Sequence, residues 1–228
     1  WFNGNEKYDF ESPVTGDITL TAHWKENEKP PVEAAKHNLT INYVYEDGRQ
    51  AAPAHTEQIA EGSAYNVASP AITGYAPEPA AVKGTMGTSD VTVTVTYLTD
   101  VWNDAENSTE KGDGIPDKYQ AVINYVSNNP NRGSVTRGDN APLTEVITLK
   151  NGDANAESQE ITASANANVT SGRFTGWTSA AAKGADTSVT APTIANAGRL
   201  ALNQPFIAAG GVTYTFTANF AAYSGGGG

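Results

Sequence analysis

The chain has 228 residues, a formal net charge of −11 at pH 7 and no cysteine. The missing cysteines exclude disulfides, thiolate zinc sites and thiol nucleophiles. Because no segment has an excess of positive charge, the composition argues against nucleic acid as a partner, and no apolar run is long enough for membrane insertion. Short runs of Val, Thr, Tyr and Ile between clusters of Gly, Pro, Asn and Asp predict an all-β fold. We expect tandem small antiparallel β modules, β-grasp-like or sandwich-like, joined by short linkers.

Three segments of the chain end in the same way. They read "GDITLTAHW", "SDVTVTVTYL" and "GGVTYTFTANF", at residues 16–24, 89–98 and 210–220. In the second, one face of the predicted strand is apolar and the other is threonine, the apolar residues being Val91, Val93, Val95 and Tyr97. A period of two with threonine outward predicts a half-buried antiparallel strand. We therefore expect each segment to close one module of a tandem array.

The first module and its linker precede residue 37. Residues 1–24 end on the first of the three closing segments, which predicts a small β module there. Residues 25–36, "KENEKPPVEAAK", are charged, carry two adjacent prolines and have no apolar period. Such a composition indicates a linker.

Residues 37–99 form the second predicted module. Its first strand carries alternate apolar residues, Leu39, Ile41, Tyr43 and Tyr45. The Asp47-Gly48 pair that follows suits a tight hairpin turn. A second short strand is predicted around "AYNVASP", a loop at "ITGYAPEP", and the module ends on the second closing segment. Nothing in these residues predicts a helix.

Both modules resemble repeats of Gram-positive surface proteins. "INYVYEDGRQAAP", "EGSAYNVASPAITGYAPEP" and "GTMGTSDVTVTVTYL" together resemble the MucBP family of mucin-binding-protein-like repeats over residues 38–98. "WFNGNEKYDFESPVTGDITLTAHW" is similar to the second half of an internalin-type B repeat, also called a Listeria–Bacteroides repeat. The first half would lie upstream, so we expect a piece of a longer protein. The B-repeat resemblance implies that Trp24 is a core aromatic residue, and it implies the same for Trp177 in a later "GRFTGWT".

Residues 100–120, which we call the acidic joint, hold six carboxylates against two lysines. Calcium prefers six to eight hard oxygen ligands on a chain that can turn tightly around the ion. The Asp and Asn spacings and the Asp-Gly turn in "DVWNDAENSTEKGDGIPDKYQ" offer such ligands. A solvated turn or a structural joint without metal has the same composition, and an EF-hand would require a further acid downstream that is missing here. Calcium therefore remains one of two interpretations.

A second resemblance names candidate calcium ligands. "GDGIPD" resembles the calcium repeats of thrombospondin type 3, in which the Asp before Gly and the Asp after Pro are ligands. Carried over to this chain, the resemblance implies Asp113 and Asp117, with Asn103 and Asp104 as contributors from the first half of the joint.

Residues 121–223 predict a third β module. At least five strand candidates, "AVINYV", "TEVITLKNGD", "QEITASANA", "GRFTGWT" and "YTFTANF", occur at the spacing of a sandwich or an open barrel. Residues 224–228, four glycines after a serine, predict a flexible tail.

No catalytic constellation is visible in the sequence. The three histidines lack a metal spacing, and there is no Gly-x-Ser-x-Gly elbow or phosphate loop. We expect a monomeric, non-enzymatic stalk or adhesion region of a bacterial cell-surface protein, attached to the cell wall or secreted, that contributes to binding a host glycoprotein or glycan. The alternative is a carbohydrate-binding accessory region of a secreted enzyme, which predicts exposed coplanar aromatic rings. Trp102, inside the acidic joint, best distinguishes these interpretations. If its indole packs against the second module it holds the joint in place, and if it is exposed it can contact a ligand.

Overall fold

The computed structural model describes residues 1–26 and 33–223 and divides the chain into two compact units, Trp1–Ala35 and Lys36–Gly228. Half of the predicted linker and the whole predicted tail at 224–228 lie outside the described residues. The fold is all-β, as predicted, with several small sheets. Within the described ranges, no helix is long and apolar enough to cross a membrane.

The first unit contains one sheet of very short strands. Its order is β2-β1-β3, with β1 at Phe2–Asn3, β2 at Glu6–Lys7 and β3 at Leu20–Thr21. The prediction of a strand along residues 16–24 is therefore wrong for all but two residues. The expected core position of Trp24 is also wrong, since this residue is 91% exposed. Two-residue strands offer too little apolar surface to bury a large indole.

The central module, residues 36–99, opens the second unit. Its strands in chain order are β4 Lys36–Tyr45, β5 Gln50–Ala60, β6 Ala64–Ala68, β7 Tyr75–Glu78, β8 Ala81–Thr85 and β9 Val91–Thr99. They form a sheet of order β5-β4-β9-β7 and a β6-β8 ribbon. The predicted hairpin turn at Asp47-Gly48 joins β4 to β5, and Gly48 adopts a φ of 82° that suits glycine. Together the strands enclose one apolar core, which contains Leu39, Ile41, Tyr43, Met86, Val95 and Tyr97.

The closing strand β9 confirms the predicted alternation but has two kinds of neighbour. Its threonines Thr92 and Thr94 are exposed while Val95 and Tyr97 are buried. It pairs parallel with β4 and antiparallel with β7, and because β7 occupies Tyr75–Glu78, the prediction of a loop throughout "ITGYAPEP" is wrong. A period of two does not distinguish these pairings, and the long connection from β4 to β9 permits the parallel one.

Residues 120–221 form a β-sandwich, which begins with β10. Its strands are β10 Gln120–Ser127, β11 Gly133–Thr136, β12 Thr144–Thr148, β13 Lys150–Asn151, β14 Ala154–Asn155, β15 Ser158–Val169, β16 Arg173–Ala182, β17 Ala201–Ala209 and β18 Val212–Ala221. The two main sheets have the orders β12-β10-β18-β16 and β11-β15-β17, and β13 pairs with β14.

The two sheets of the sandwich share one core. Ile123, Tyr125 and Phe216 from the first sheet pack in the same cluster as Ala163 and Leu202 from the second. Trp177 is buried there, as the resemblance implied, and its indole N–H donates to the carbonyl of Arg199 at 3.1 Å. The closing strand β18 lies parallel to β10 and antiparallel to β16, so both modules of the second unit end alike.

Candidate functional site

The acidic joint connects β9 of the central module to β10 of the sandwich. Asp100 follows β9 directly, and its backbone N–H donates to the carbonyl of Gly74 at 3.0 Å. The joint ends in a 3₁₀ turn, Asp117–Tyr119, after Pro116. Asp100 and Asp117 therefore mark the two ends of the joint, and each is more than nine-tenths buried.

The Asp117 carboxylate connects the end of the joint to its beginning by hydrogen bonds. Its Oδ1 accepts hydrogen bonds from the backbone N–H groups of Val101 at 2.9 Å and Trp102 at 3.0 Å. Burial raises the pKa of Asp117; the two N–H donors oppose that rise, and the nearby charges of Asp100 and Asp113 add to it. The pKa of this carboxyl group therefore lies above its ordinary value.

The carboxylates of Asp100 and Asp113 accept hydrogen bonds from backbone N–H groups of the "GDGI" turn, residues 112–115. Asp100 accepts from the backbone N–H of Asp113 at 3.0 Å with one oxygen and from that of Gly114 at 2.9 Å with the other. Asp113 accepts in turn from the backbone N–H of Ile115 at 2.8 Å and from that of Asp104 at 3.3 Å. Burial raises the pKa of Asp100, the donors from Asp113 and Gly114 lower it, and the charge of Asp113 raises it; the net shift is upward.

Gln120, the first residue of β10, completes this group and was not predicted. It is 0% exposed, and its amide nitrogen donates to Asp113 at 2.8 Å and to the Thr148 hydroxyl at 3.2 Å. Its amide oxygen has no hydrogen-bond partner in the described part of the chain. A search for acidic ligands misses an uncharged glutamine. Its position three residues after Asp117 is the sequence signal that could have identified Gln120 as part of this group.

The structure separates the four predicted calcium ligands. Asp113 and Asp117 lie together with Asp100, which was not predicted. Asn103 instead caps its own turn, because its side-chain oxygen accepts from the backbone N–H of Glu106 at 3.0 Å. The backbone N–H of Asp104 donates to the Asp113 carboxylate, and the Asp104 side chain is half-buried. Among residues 1–26 and 33–223, no three His, Cys, Asp or Glu side chains form a group already set to hold a metal ion. Calcium binding stays a prediction.

No cation of the described residues pairs with the three clustered carboxylates. Lys111 pairs with Glu106 at 2.8 Å, and Lys118 pairs with Glu78 at 3.0 Å. The ion pairs found elsewhere involve other acids. The cluster therefore has neutral hydrogen-bond donors but lacks a counter-charge.

Glu78 at the end of β7 fastens the joint to the central module. One of its oxygens pairs with Lys118, and the other accepts a hydrogen bond from the Tyr119 hydroxyl at 2.9 Å. Burial by itself raises the pKa of Glu78, but the hydrogen bonds and the charge of Lys118 outweigh burial, so the pKa is lowered. These contacts link a strand of the central module directly to the start of the sandwich.

A cleft of about 380 Å³ lies beside the joint, between the central module and the sandwich. Glu46 lines it from the β4–β5 turn and Lys183 from the end of β16, while Trp102, Asp117 and Lys118 line it from the joint. Trp102 is half-buried, so it is neither fully packed nor fully free. The cleft thus combines an indole, backbone groups and charges of both signs.

Three aromatic residues that could belong to the flat platform of the alternative function, Trp177, Tyr75 and Tyr65, are not exposed coplanar rings. Trp177 is buried in the sandwich core. Tyr75 is half-buried and packs against Tyr45 with the two rings tilted by 53°. Tyr65 is half-buried as well, and its hydroxyl lies close over Gly84. The carbohydrate-binding accessory role stays a prediction that these ring orientations do not favour.

Comparison with known proteins gives a match to a family model and a similarity to solved structures. Residues 38–98 match the family model described as the MucBP domain. A type 2 repeat of the mucus binding protein MUB from Lactobacillus reuteri is 27% identical, with a TM-score of 0.27, and the match covers 28% of this chain and 49% of that one. No curated protein matches the chain. The internalin-type B repeat is not shown by these comparisons and stays a prediction. The stretch that matches the MucBP domain model thus spans strands β4 to β9, and the joint and the sandwich follow it.

Proposed function

We propose that this chain is a non-enzymatic adhesion segment of a bacterial surface protein and contributes to binding a host mucus glycoprotein. The observation that carries the proposal is the match of residues 38–98 to the MucBP domain. The central module has the closed core that a self-supporting domain needs. An extracellular location, on the cell wall or secreted, belongs to the same proposal.

The sandwich and the joint give this segment a second role, which is to hold the MucBP domain in a defined direction. The joint is tied to the central module through Glu78 and to the sandwich through Gln120. The side chain of Asn107 also accepts a hydrogen bond from the backbone N–H of Val146 on β12. Such a chain of contacts limits bending between the modules, which suits a stalk that presents an adhesive surface.

The cleft beside the joint is the proposed point of contact with a glycan. Small-ligand sites are concave, largely apolar and supplied with a few polar groups, and their volumes begin at about 300 Å³. The indole of Trp102 offers an apolar face to the C–H side of a sugar ring. Glu46 and Lys183 offer an acceptor and donors for its hydroxyl groups.

Binding of the 228-residue chain to immobilised purified mucin tests the proposal. Trp102→Ala should weaken binding by more than about tenfold if the indole is a central anchor, since anchor residues cost about 2 kcal/mol or more on truncation. Trp24→Ala is the matched control, because Trp24 is the most exposed indole of the described residues and lies outside the central module. Equal losses in both variants, or none in either, would remove the cleft from the proposal.

A further inference from the structure

The end of the sandwich remote from the joint carries positive charge in a chain that is acidic as a whole. Parallel strands β10 and β18 run from the joint toward this end. Arg132 lies between β10 and β11, Arg173 begins β16, and Arg199 lies just before β17. This region, which we call the basic end, comprises residues 128–132, 170–173, 197–200 and 221–223. It contains three arginines and no Asp or Glu, although the chain has a net charge of −11.

Folding places Arg132 and Arg173 side by side. The Arg132 carbonyl accepts hydrogen bonds from the backbone N–H groups of Thr170 at 2.9 Å and Ser171 at 3.2 Å. A Cβ atom added at Gly172 would lie 3.1 Å from Cβ of Arg132 and 3.2 Å from its Cδ, so the half-buried Arg132 side chain packs over Gly172. Two arginine side chains therefore start from adjacent positions, which lowers the cost of ordering them around one anion.

None of the three arginines is neutralised by a carboxylate of the described residues. The ion pairs found there use other cations, which are Arg49, His55, Lys111, Lys118 and Arg137. Guanidinium presents a planar fork of N–H donors that matches the oxygens of carboxylate and phosphate, and sulfate offers a similar set of oxygens. Because the chain as a whole is acidic and repels polyanions, the basic end is the place where a polyanion can approach.

Exposed apolar side chains border these arginines. The ring of Tyr223 is 68% exposed and lies two residues after Ala221, which pairs with Arg173 across β18 and β16. Leu200, directly after Arg199, is 49% exposed. Such surfaces suit the C–H faces of sugar rings, whereas a polyphosphate chain has no group to place on them. The combination favours a glycan with anionic groups over other polyanions.

We infer that the basic end binds a sulfated glycan, with Arg132, Arg173 and Arg199 as the residues that contact its sulfate groups. The inference goes beyond the proposed function, which places a glycan in the cleft beside the joint and requires no sulfate. The site lies on the sandwich, outside residues 38–98 that match the MucBP domain model. Its arginines come from three separate stretches of sequence and meet only in the fold.

Calorimetric titration of the 228-residue chain with a heparin-derived tetrasaccharide tests the inference. Wild type should bind the tetrasaccharide, bind it more weakly as the salt concentration rises, and fail to bind its desulfated form. Polyphosphate of equal charge should bind less tightly, because it has no sugar ring to cover the apolar surface. No binding of the tetrasaccharide by the folded chain, or equal affinity for polyphosphate, would overturn the inference. Since the probe contains no mucin, either result is independent of the mucin-binding test.

Single variants locate the site. Arg173→Gln should lower the affinity for the tetrasaccharide about tenfold, the loss expected from one hydrogen-bonded contact to a charged group, and Arg199→Gln should lower it as well. Both side chains are exposed, so neither change disturbs the core. Arg49→Gln is the matched control, because it removes one positive charge from an exposed arginine of the central module that pairs with Asp47. It should bind as wild type does. Wild-type affinity in Arg173→Gln or Arg199→Gln, or an equal loss in Arg49→Gln, would contradict the assigned residues.

Discussion

The segments at residues 16–24 and 89–98 have nearly the same pattern, but only the second forms a long strand. In the first, strand structure is limited to Leu20–Thr21, and Ile18 and Trp24 are exposed. In the second, β9 runs for nine residues and buries Val95 and Tyr97 completely. The difference lies in their surroundings, because β9 has a strand on each side and a second ribbon over its apolar face, whereas β3 pairs only with a two-residue strand.

The third segment, at residues 210–220, confirms what this comparison teaches. It forms β18, a strand of ten residues that lies between β10 and β16 and buries its alternate side chains in the sandwich core. Alternation therefore shows that a segment can form a half-buried strand. In this chain the long strands form where strands from distant parts of the sequence pair with the segment on both sides.

The largest expected effect comes from truncating the core of β9. Tyr97 is 0% exposed, and its hydroxyl donates to the carbonyl of Pro70. Tyr97→Ala should lower the free energy of unfolding by about 4 kcal/mol, as large-to-small changes of buried aromatic residues do. Ile18→Ala, in the first segment, should change it by less than about 0.5 kcal/mol. Urea denaturation of both variants measures the contrast, and equal losses would show that the two segments are packed alike.

If Tyr97→Ala fails to fold, Tyr97→Phe keeps the comparison measurable. It removes only the hydroxyl and leaves the carbonyl of Pro70 without this donor, which should cost about 1 kcal/mol. A variant as stable as wild type would show that this hydrogen bond does not help to hold β9 in place.

An intermediate effect is expected where the third segment begins. A Cβ atom at Gly210 would lie 1.7 Å from the backbone oxygen of Lys118, so Gly210→Ala must displace the turn before β18 or the end of the joint. We expect a loss of about 2 kcal/mol, typical of overpacking. Gly138→Ala is the control, because nothing lies within 4 Å of the added atom. A thermal melt that ranks Gly138→Ala as the more damaging change would contradict the close approach of β18 to the joint.

The smallest effect is expected at Glu78, which ties β7 to the joint. Its pKa is lowered in the folded state, so its contribution to stability is present above the unfolded pKa of about 4.3 and is lost as the pH falls through the folded pKa. Since the pair with Lys118 is partly exposed, Glu78→Gln should cost about 0.5 kcal/mol at neutral pH. The difference from wild type should vanish in acid. Melts over a pH series test this sign, and a difference that grows in acid would reverse it.

Much of the fold follows from local patterns in the sequence. The hairpin at Asp47-Gly48 is specified by its own turn residues, and the strands β9 and β18 by alternation within themselves. Strands β11 and β17 were not predicted. The segment "ALNQPFIAA" of β17 includes a proline and polar residues, and only its pairing with β15 makes it a strand.

The candidate site shows the same limit. Asp113 and Asp117 could be selected from the sequence because Asp, Gly and Pro lie close together there. Asp100 joins them only because the joint folds back on itself, which brings together Asp100 and Asp113, thirteen positions apart. The cleft draws Glu46 and Lys183 from different modules, a proximity that no local pattern contains.

Binding of the 228-residue chain to purified mucin, compared with the same mucin stripped of its O-glycans, is the most direct test of the adhesive role. The account predicts saturable binding to the intact mucin and a large loss of binding to the stripped form. A chain that binds neither mucin, while circular dichroism shows it to be folded, would contradict the proposed function.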